Sequence, residues 1–140
     1  MKKYKVAILG ATGAVGREMM KILAERDFPV EELHLLASER SVGQKINWQG
    51  RELTVELACD EAFQGMDIAA ENDIAKRFAP AIVKAGAVFV DNSSAFRLDP
   101  DVPLVIPEIN PQDAKKHKGI IANPNCTTIV SLVAINALNQ

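Results

Sequence analysis

Cysteine is scarce in this chain: only Cys59 and Cys126 occur among 140 residues. Two thiols cannot build a disulfide framework, and there is no Cys-x-x-Cys pair or Cys/His cluster to hold zinc, so no metal is expected. Unpaired thiols suit a reducing compartment. An excess of charge of one sign is also missing. The net charge is −2, which argues against a nucleic-acid partner, and Lys2, Lys3 and Lys5 read as a solvated strand edge. No apolar run approaches the length of a membrane span. The basic start leads into a strand and glycines rather than into the apolar core of a signal peptide. A cytoplasmic setting is therefore expected, with no membrane partner. Repeats, low-complexity tracts and linkers are absent too. What remains is a chain that is 48% hydrophobic. At this length it buries roughly two thirds of its unfolded surface, enough to fold as one compact domain without a disulfide or metal.

The apolar pattern alternates between strands and helices. Tyr4 to Leu9 reads as a strand stopped by Gly10. Val15, Met19, Ile22 and Leu23 have helical spacing within Ala14 to Arg26. Leu33 to Leu36 reads as a second strand, and Ile46 to Leu57 as a hairpin turning at Gly50. Met66 to Ala70 is a short strand. Ile74 to Ala85 is helical, with Pro80 placed in its first turn or kinking it. Ala87 to Val90 is a strand and Leu104 to Ile106 a short apolar run. Pro111 to Lys116 suits a short helix with proline at its first position. Ile120 to Ala122 is the last strand and Thr127 to Leu138 the last helix. Such alternation implies an α/β, Rossmann-like doubly wound, mostly parallel sheet with helices on both faces. Ligands bind such sheets outside the carboxyl ends of the strands. The residues that matter should follow Leu9, Leu36, Ala70, Val90 and Ala122.

After the first strand comes GATGAVG. Gly10 permits the tight turn, Gly13 lets backbone approach a pyrophosphate, and Gly16 lets the helix pack on the strand. Thr12, Ala14 and Val15 lie in the same turn, where the unpaired N–H groups of the helix start attract an anion. The same glycines would suit a tight turn with no ligand, but the strand–turn–helix context is the one a nucleotide site requires. At the next strand end an NAD site carries Asp or Glu for the ribose hydroxyls. This chain reads ASERSVG instead. Ser38, Arg40 and Ser41 place a guanidinium between two hydroxyls, a receptor for a 2′-phosphate, so NADP is favoured over NAD. Glu39 must then point to solvent. The alternative is a solvated polar loop.

Cys126 follows Asn-Pro-Asn at the carboxyl end of the last strand and opens a helix. A thiol there faces the positive end of the helix dipole and free N–H groups, a setting that favours thiolate. Those N–H groups can also stabilise an oxyanion. Asn125 adds an amide beside the sulfur, Pro124 stiffens the turn, and Thr127 or Thr128 can cap the helix. A small buried cysteine in a βα turn is the plainer alternative. Cys59 lacks this setting and reads as structural, and neither His34 nor His117 has a visible role. A nucleophilic thiolate beside a nicotinamide suggests thioester or thiohemiacetal chemistry coupled to hydride transfer.

GATGAVG, LLASERSVGQK, FVDNSSAFRLDPDVPLVIPEIN and GIIANPNCTT together resemble the N-terminal part of bacterial aspartate-β-semialdehyde dehydrogenase. The resemblance covers nearly the whole chain in order. It implies that residues 1–140 form an NADP-binding domain ending just after the catalytic-cysteine helix. It implies too that the family's second domain, which carries the acid/base histidine, the carboxylate clamp and the homo-oligomer interface, is absent from these residues. It further implies NADPH-dependent conversion of L-aspartyl-4-phosphate to L-aspartate 4-semialdehyde and phosphate. Cys126 would be the nucleophile, Arg97 the grip on the substrate phosphate, and Asn125 the residue beside the nucleophile. Asn92 and Ser93 would line the cofactor and substrate pocket. Negligible turnover is expected of these residues alone. One segment departs from the family: Ala70 to Pro80 reads AENDIAKRFAP, shorter than the family's loop and without its glycines. Glu71 and Asp73 put charge there, which opposes a pyrophosphate. A related N-acetyl-glutamyl-phosphate reductase would share the glycine turn and cysteine, but the SAFRLDPDVPLVIPEIN block speaks against it. A non-catalytic Rossmann binding module is the third reading.

Overall fold

A computed structural model describes residues 2–71 and 74–139. The strands are β1 (Tyr4–Leu9), β2 (Val30–Ala37), β3 (Lys45–Trp48), β4 (Arg51–Leu57), β5 (Ile68–Glu71), β6 (Val88–Asp91) and β7 (Ile120–Ala122). The helices are α1 (Ala14–Glu25), α2 (Ala75–Lys84) and α3 (Cys126–Leu138), with 3-10 turns at Glu39–Ser41, Asp60–Phe63 and Pro111–Lys116. All seven strands join one sheet in the order β3-β4-β2-β1-β5-β6-β7. Every neighbouring pair is parallel except β3 with β4.

Alternation along β1 divides the core between the two faces of the sheet. Val6 and Ile8 join Met20, Leu33, Leu35, Trp48 and Val55 on the α1 side. Ala7 and Leu9 join Leu36, Phe63, Phe78, Ile82 and Phe89 on the α2 side. Because both faces are covered, β1 reads as a near-continuous apolar run rather than a half-polar one. Trp48 ties the edge hairpin to α1: its indole N–H donates to the Met20 carbonyl at 2.8 Å. On the other face the Phe63 and Phe78 rings meet edge to face, with centroids 5.5 Å apart.

Four places show how the structure shifts or realises the sequence expectations. The second strand begins at Val30 rather than Leu33, because Tyr4 and Lys5 of β1 extend the pairing back to Val30 and Glu32. The strand expected at Met66 to Ala70 is shifted to Ile68–Glu71. Asp67 is used as a ladder terminus instead: its amide donates to the Lys5 carbonyl and its carboxylate accepts from the Lys5 amide, both at 2.9 Å. Pro80 sits in the interior of α2 rather than in its first turn. The helix-bond gap it leaves faces solvent, since Lys76 and Pro80 are both exposed. The Leu104 to Ile106 run contributes only a parallel bridge from Leu104 to Ala122 beside β7. Pro103 and Pro107 flank it and offer no N–H for a longer ladder.

Candidate functional site

The parallel strands bring the carboxyl ends of β1, β2, β4, β5, β6 and β7 to one edge. Over the first four of these opens a cleft of about 890 Å³. Gly10, Thr12, Gly13, Ala14, Val15 and Gly16 form its floor, and Ser38, Glu39 and Arg40 part of its rim. The glycine turn is closed by a hydrogen bond from the Gly13 amide to the Gly10 carbonyl at 2.9 Å. Gly10 has φ +68, which a larger residue rarely adopts. A Cβ at Gly16 would lie 2.5 Å from the Gly10 carbonyl oxygen and 2.7 Å from the Ala11 Cα, so only glycine lets α1 approach the turn. Gly13 caps α1 without a side chain, and the first turn of that helix carries no acid. Its N–H groups therefore have no internal anion to face, which is what a phosphate seat needs. These features fit a dinucleotide.

At the end of β2 the Glu39–Ser41 turn folds back toward the glycines. The Thr12 hydroxyl lies 3.3 Å from that of Ser41. Ser38 and Arg40 line the cleft directly, and Ser41 joins it through Thr12. Glu39 is exposed at the rim. A residue outside the glycine pattern supports the turn: the Arg17 Nε donates to the Thr12 carbonyl at 3.1 Å.

A second cluster stands at the ends of β6 and β7. Cys126 is the first residue of α3 and is exposed. Its helix is capped by Asn125, whose Oδ1 accepts from the Thr127 amide at 3.0 Å. The cap expected from the Thr127 or Thr128 hydroxyl is instead supplied by Asn125, two residues before Thr127, because the helix already begins at Cys126 and Thr127 lies inside it. In the β6 loop the Ser93 amide bonds the Asp91 carboxylate at 2.8 Å, and the Ser93 hydroxyl accepts from the Ala95 amide at 3.0 Å. Arg97 donates from Nε to the Asn123 carbonyl at 2.9 Å and from Nη2 to the Asn92 carbonyl at 3.1 Å. Those two bonds use one edge of the guanidinium, and among the described residues no acceptor meets Nη1. Asn92, Ser93, Arg97, Asn125 and Cys126 are thus gathered together, but beyond the residues that wall the cleft.

The cleft contains residues that the sequence did not single out. Cys59 lines it at half-burial, past the end of β4. Reading residues 46–57 as a hairpin turning at Gly50 left its further strand neighbour unstated. In fact β4 pairs parallel with β2, so its carboxyl end joins the ligand edge. Arg77 and Phe78 of α2 also line the cleft, the guanidinium lying 4.9 Å from its neighbour's ring centroid. Glu71 is only 2% exposed, and its carboxylate accepts from the Ile74 amide at the start of α2. It stands in register with Asp91, which is fully buried. Asn72 and Asp73 lie outside the described residues.

With this geometry in view, the comparisons with known proteins are specific. Residues 5–117 match the family described as "Semialdehyde dehydrogenase, NAD binding domain". The chain belongs to that family. The aspartate-semialdehyde dehydrogenase of Synechocystis is 57% identical over 139 residues, 97% of this chain and 41% of that protein. That of Aquifex aeolicus is 55% identical over 96% of this chain and 42% of its own length. A solved structure of aspartate semialdehyde dehydrogenase II from Vibrio cholerae, complexed with ASA, matches with a TM-score of 0.93 at 44% identity, over 98% of this chain and 46% of that one. The semialdehyde dehydrogenase domain here thus spans less than half the length of the proteins it matches. Its seven-stranded sheet is the NAD-binding fold of those structures. Among the described residues no helix is long and apolar enough to cross a membrane, and no group of three His, Cys, Asp or Glu residues could hold a metal.

Proposed function

We propose that this chain is the NADP-binding and nucleophile-bearing part of an aspartate-semialdehyde dehydrogenase, acting on L-aspartyl-4-phosphate. The observation that carries the reading is Cys126: exposed, first in α3, capped by Asn125, and on the same sheet edge as a glycine-floored cleft. The Cys126 sulfur attacks the acyl carbon, a C–S bond forms, and the C–O bond to phosphate breaks as phosphate leaves with the electron pair. Free N–H groups at the start of α3 face the oxygen on which charge develops. The open end of Arg97 receives the departing phosphate. When bound, the reduced nicotinamide cofactor supplies the hydride that takes the thioester to the aldehyde. Arg40, with Ser38, Ser41 and Thr12, grips the 2′-phosphate and sets the preference for NADPH. The Vibrio cholerae relative complexed with ASA and the Candida albicans aspartate semialdehyde dehydrogenase with NADP support the substrate and cofactor assignments. By the family resemblance the acid/base histidine and carboxylate clamp lie in a second domain outside these 140 residues, so the thioester step is the one to test here.

The test is mass spectrometry of the chain after incubation with L-aspartyl-4-phosphate. An aspartyl adduct on the Cys126 peptide, lost in Cys126→Ser, is expected. An adduct on Cys59 alone, or none in a chain that binds NADPH, would reject the nucleophile and favour the non-catalytic binding module.

A further inference from the structure

We infer that Asn123 is a positioning residue for the Cys126 thiol, an inference that rests on the reading of Cys126 as the nucleophile. Nearly every polar group of Asn123 is engaged across the gap between β6 and β7. Its amide donates to the Asp91 carbonyl at 2.8 Å. Its carbonyl accepts from the Arg97 Nε at 2.9 Å. Its side-chain Nδ2 donates to the Asn92 Oδ1 at 2.6 Å. Arg97 closes the ring through the Asn92 carbonyl at 3.1 Å. The loop after β6 and the turn after β7 are therefore one hydrogen-bonded body.

Only two residues separate Asn123 from the thiol, and neither has freedom to spare. Pro124 is buried and its ring fixes φ. Asn125 is held as the helix cap by the Thr127 amide, and its carbonyl accepts from the Ile129 amide at 3.0 Å. The direction of the first turn of α3, which carries Cys126, follows from where Asn123 is anchored. The same anchor carries Arg97. Nucleophile and anion grip are consequently set at one separation, as an acyl phosphate spanning the two would require. Removing the Asn123 side chain leaves both backbone bonds in place. It cuts only the 2.6 Å link to Asn92.

Because Cys126 is already exposed, loosening the turn adds no access. Its alkylation rate instead reports how well the helix start presents the sulfur. The experiment is iodoacetamide labelling of both cysteines in the same molecule, read by peptide mass spectrometry from pH 6 to 9, with a small free thiol as reference. In the unsubstituted chain Cys126 should label faster than the free thiol at pH 7. In Asn123→Ala the Cys126 rate relative to Cys59 should fall about threefold or more across that pH range. An unchanged or higher ratio overturns the positioning role while leaving the nucleophile in place. A Cys126 no faster than the free thiol in the unsubstituted chain overturns the nucleophile reading itself. If Asn123→Ala also accelerates Cys59, the whole fold has loosened. The decision then passes to Arg97→Lys, which keeps the charge but lacks the planar fork that reaches the Asn123 and Asn92 carbonyls together. The same fall in ratio is expected there, and its absence rejects the inference.

Discussion

At the scale of single residues, the two ends of the nucleotide cleft make different demands. Gly16 is a steric requirement. Gly16→Ala would drive a Cβ to 2.5 Å from a carbonyl oxygen and 2.7 Å from a Cα, both backbone atoms that cannot swing away. Overpacking of this kind costs about 1–3 kcal/mol, so the thermal midpoint should fall and dinucleotide binding should weaken for NADPH and NADH alike. Loss of NADPH binding alone would mean that the turn had not moved. On the proposed reading, Arg40 is a chemical requirement. Charge-assisted hydrogen bonds are worth about 1.5–3 kcal/mol, so Arg40→Ala should weaken NADPH by roughly ten- to a hundredfold by fluorescence titration and barely touch NADH. Equal losses for the two cofactors would remove Arg40 from the 2′-phosphate.

At the scale of elements, α3 depends on a single cap. Its first turn has no acidic side chain, and only Asn125 meets an orphan amide. Asn125→Ala should destabilise the helix start by about 1 kcal/mol and slow Cys126 alkylation; a change in stability without a change in labelling would make Asn125 purely structural. Much of the element pattern was legible in the chain. The βα units announce themselves through periodicity, and GATGAVG and NPNC stand where strand ends must be. The turn at Gly50 was legible too, since Gln49 and Gly50 both take positive φ, as a tight hairpin turn demands. What stayed hidden depends on pairing. Cys59 enters the cleft only because β4 lies parallel beside β2, and nothing in residues 51–57 states which neighbour that strand will choose. Asn123 likewise looks like one more turn residue until β6 and β7 bring Asn92 and Arg97 to it.

At the scale of the whole molecule, charge and apolar surface act in opposite ways. The carboxyls of Glu32, Asp67, Asp101 and Asp113 are held below the ordinary carboxylate range, Glu32 chiefly by Lys5, Asp67 by the Lys5 amide, Asp101 by Lys118 and Asp113 by Lys116. Groups depressed in the folded state contribute stability above their unfolded values, near pH 4, and lose it as pH falls through the folded ones. Lys5, Lys21 and Lys118 are raised by acidic neighbours. They contribute below their unfolded values and lose it as pH climbs through the folded ones. Thermal midpoints should therefore be flat between about pH 5 and 9 and fall on either side. In Asp67→Asn, which keeps an acceptor for Lys5, the acid limb should be shallower; an unchanged limb would show that Asp67 is not coupled to folding. The apolar surface is concentrated on α3. Val130 is 71% exposed, Ile135 59% and Leu138 89%, and no residue of the helix is buried. A helix apolar around its circumference is stable only when covered. In a polypeptide of these 140 residues alone, α3 should draw copies together, so the weight-average mass by sedimentation should rise with concentration. Val130→Lys combined with Leu138→Glu should hold the chain monomeric at the same concentrations and leave NADPH binding unchanged, because the nucleotide cleft lies over the other strand ends. Association that survives both charges would place the contact elsewhere, with the β3 edge of the sheet as the next surface to examine.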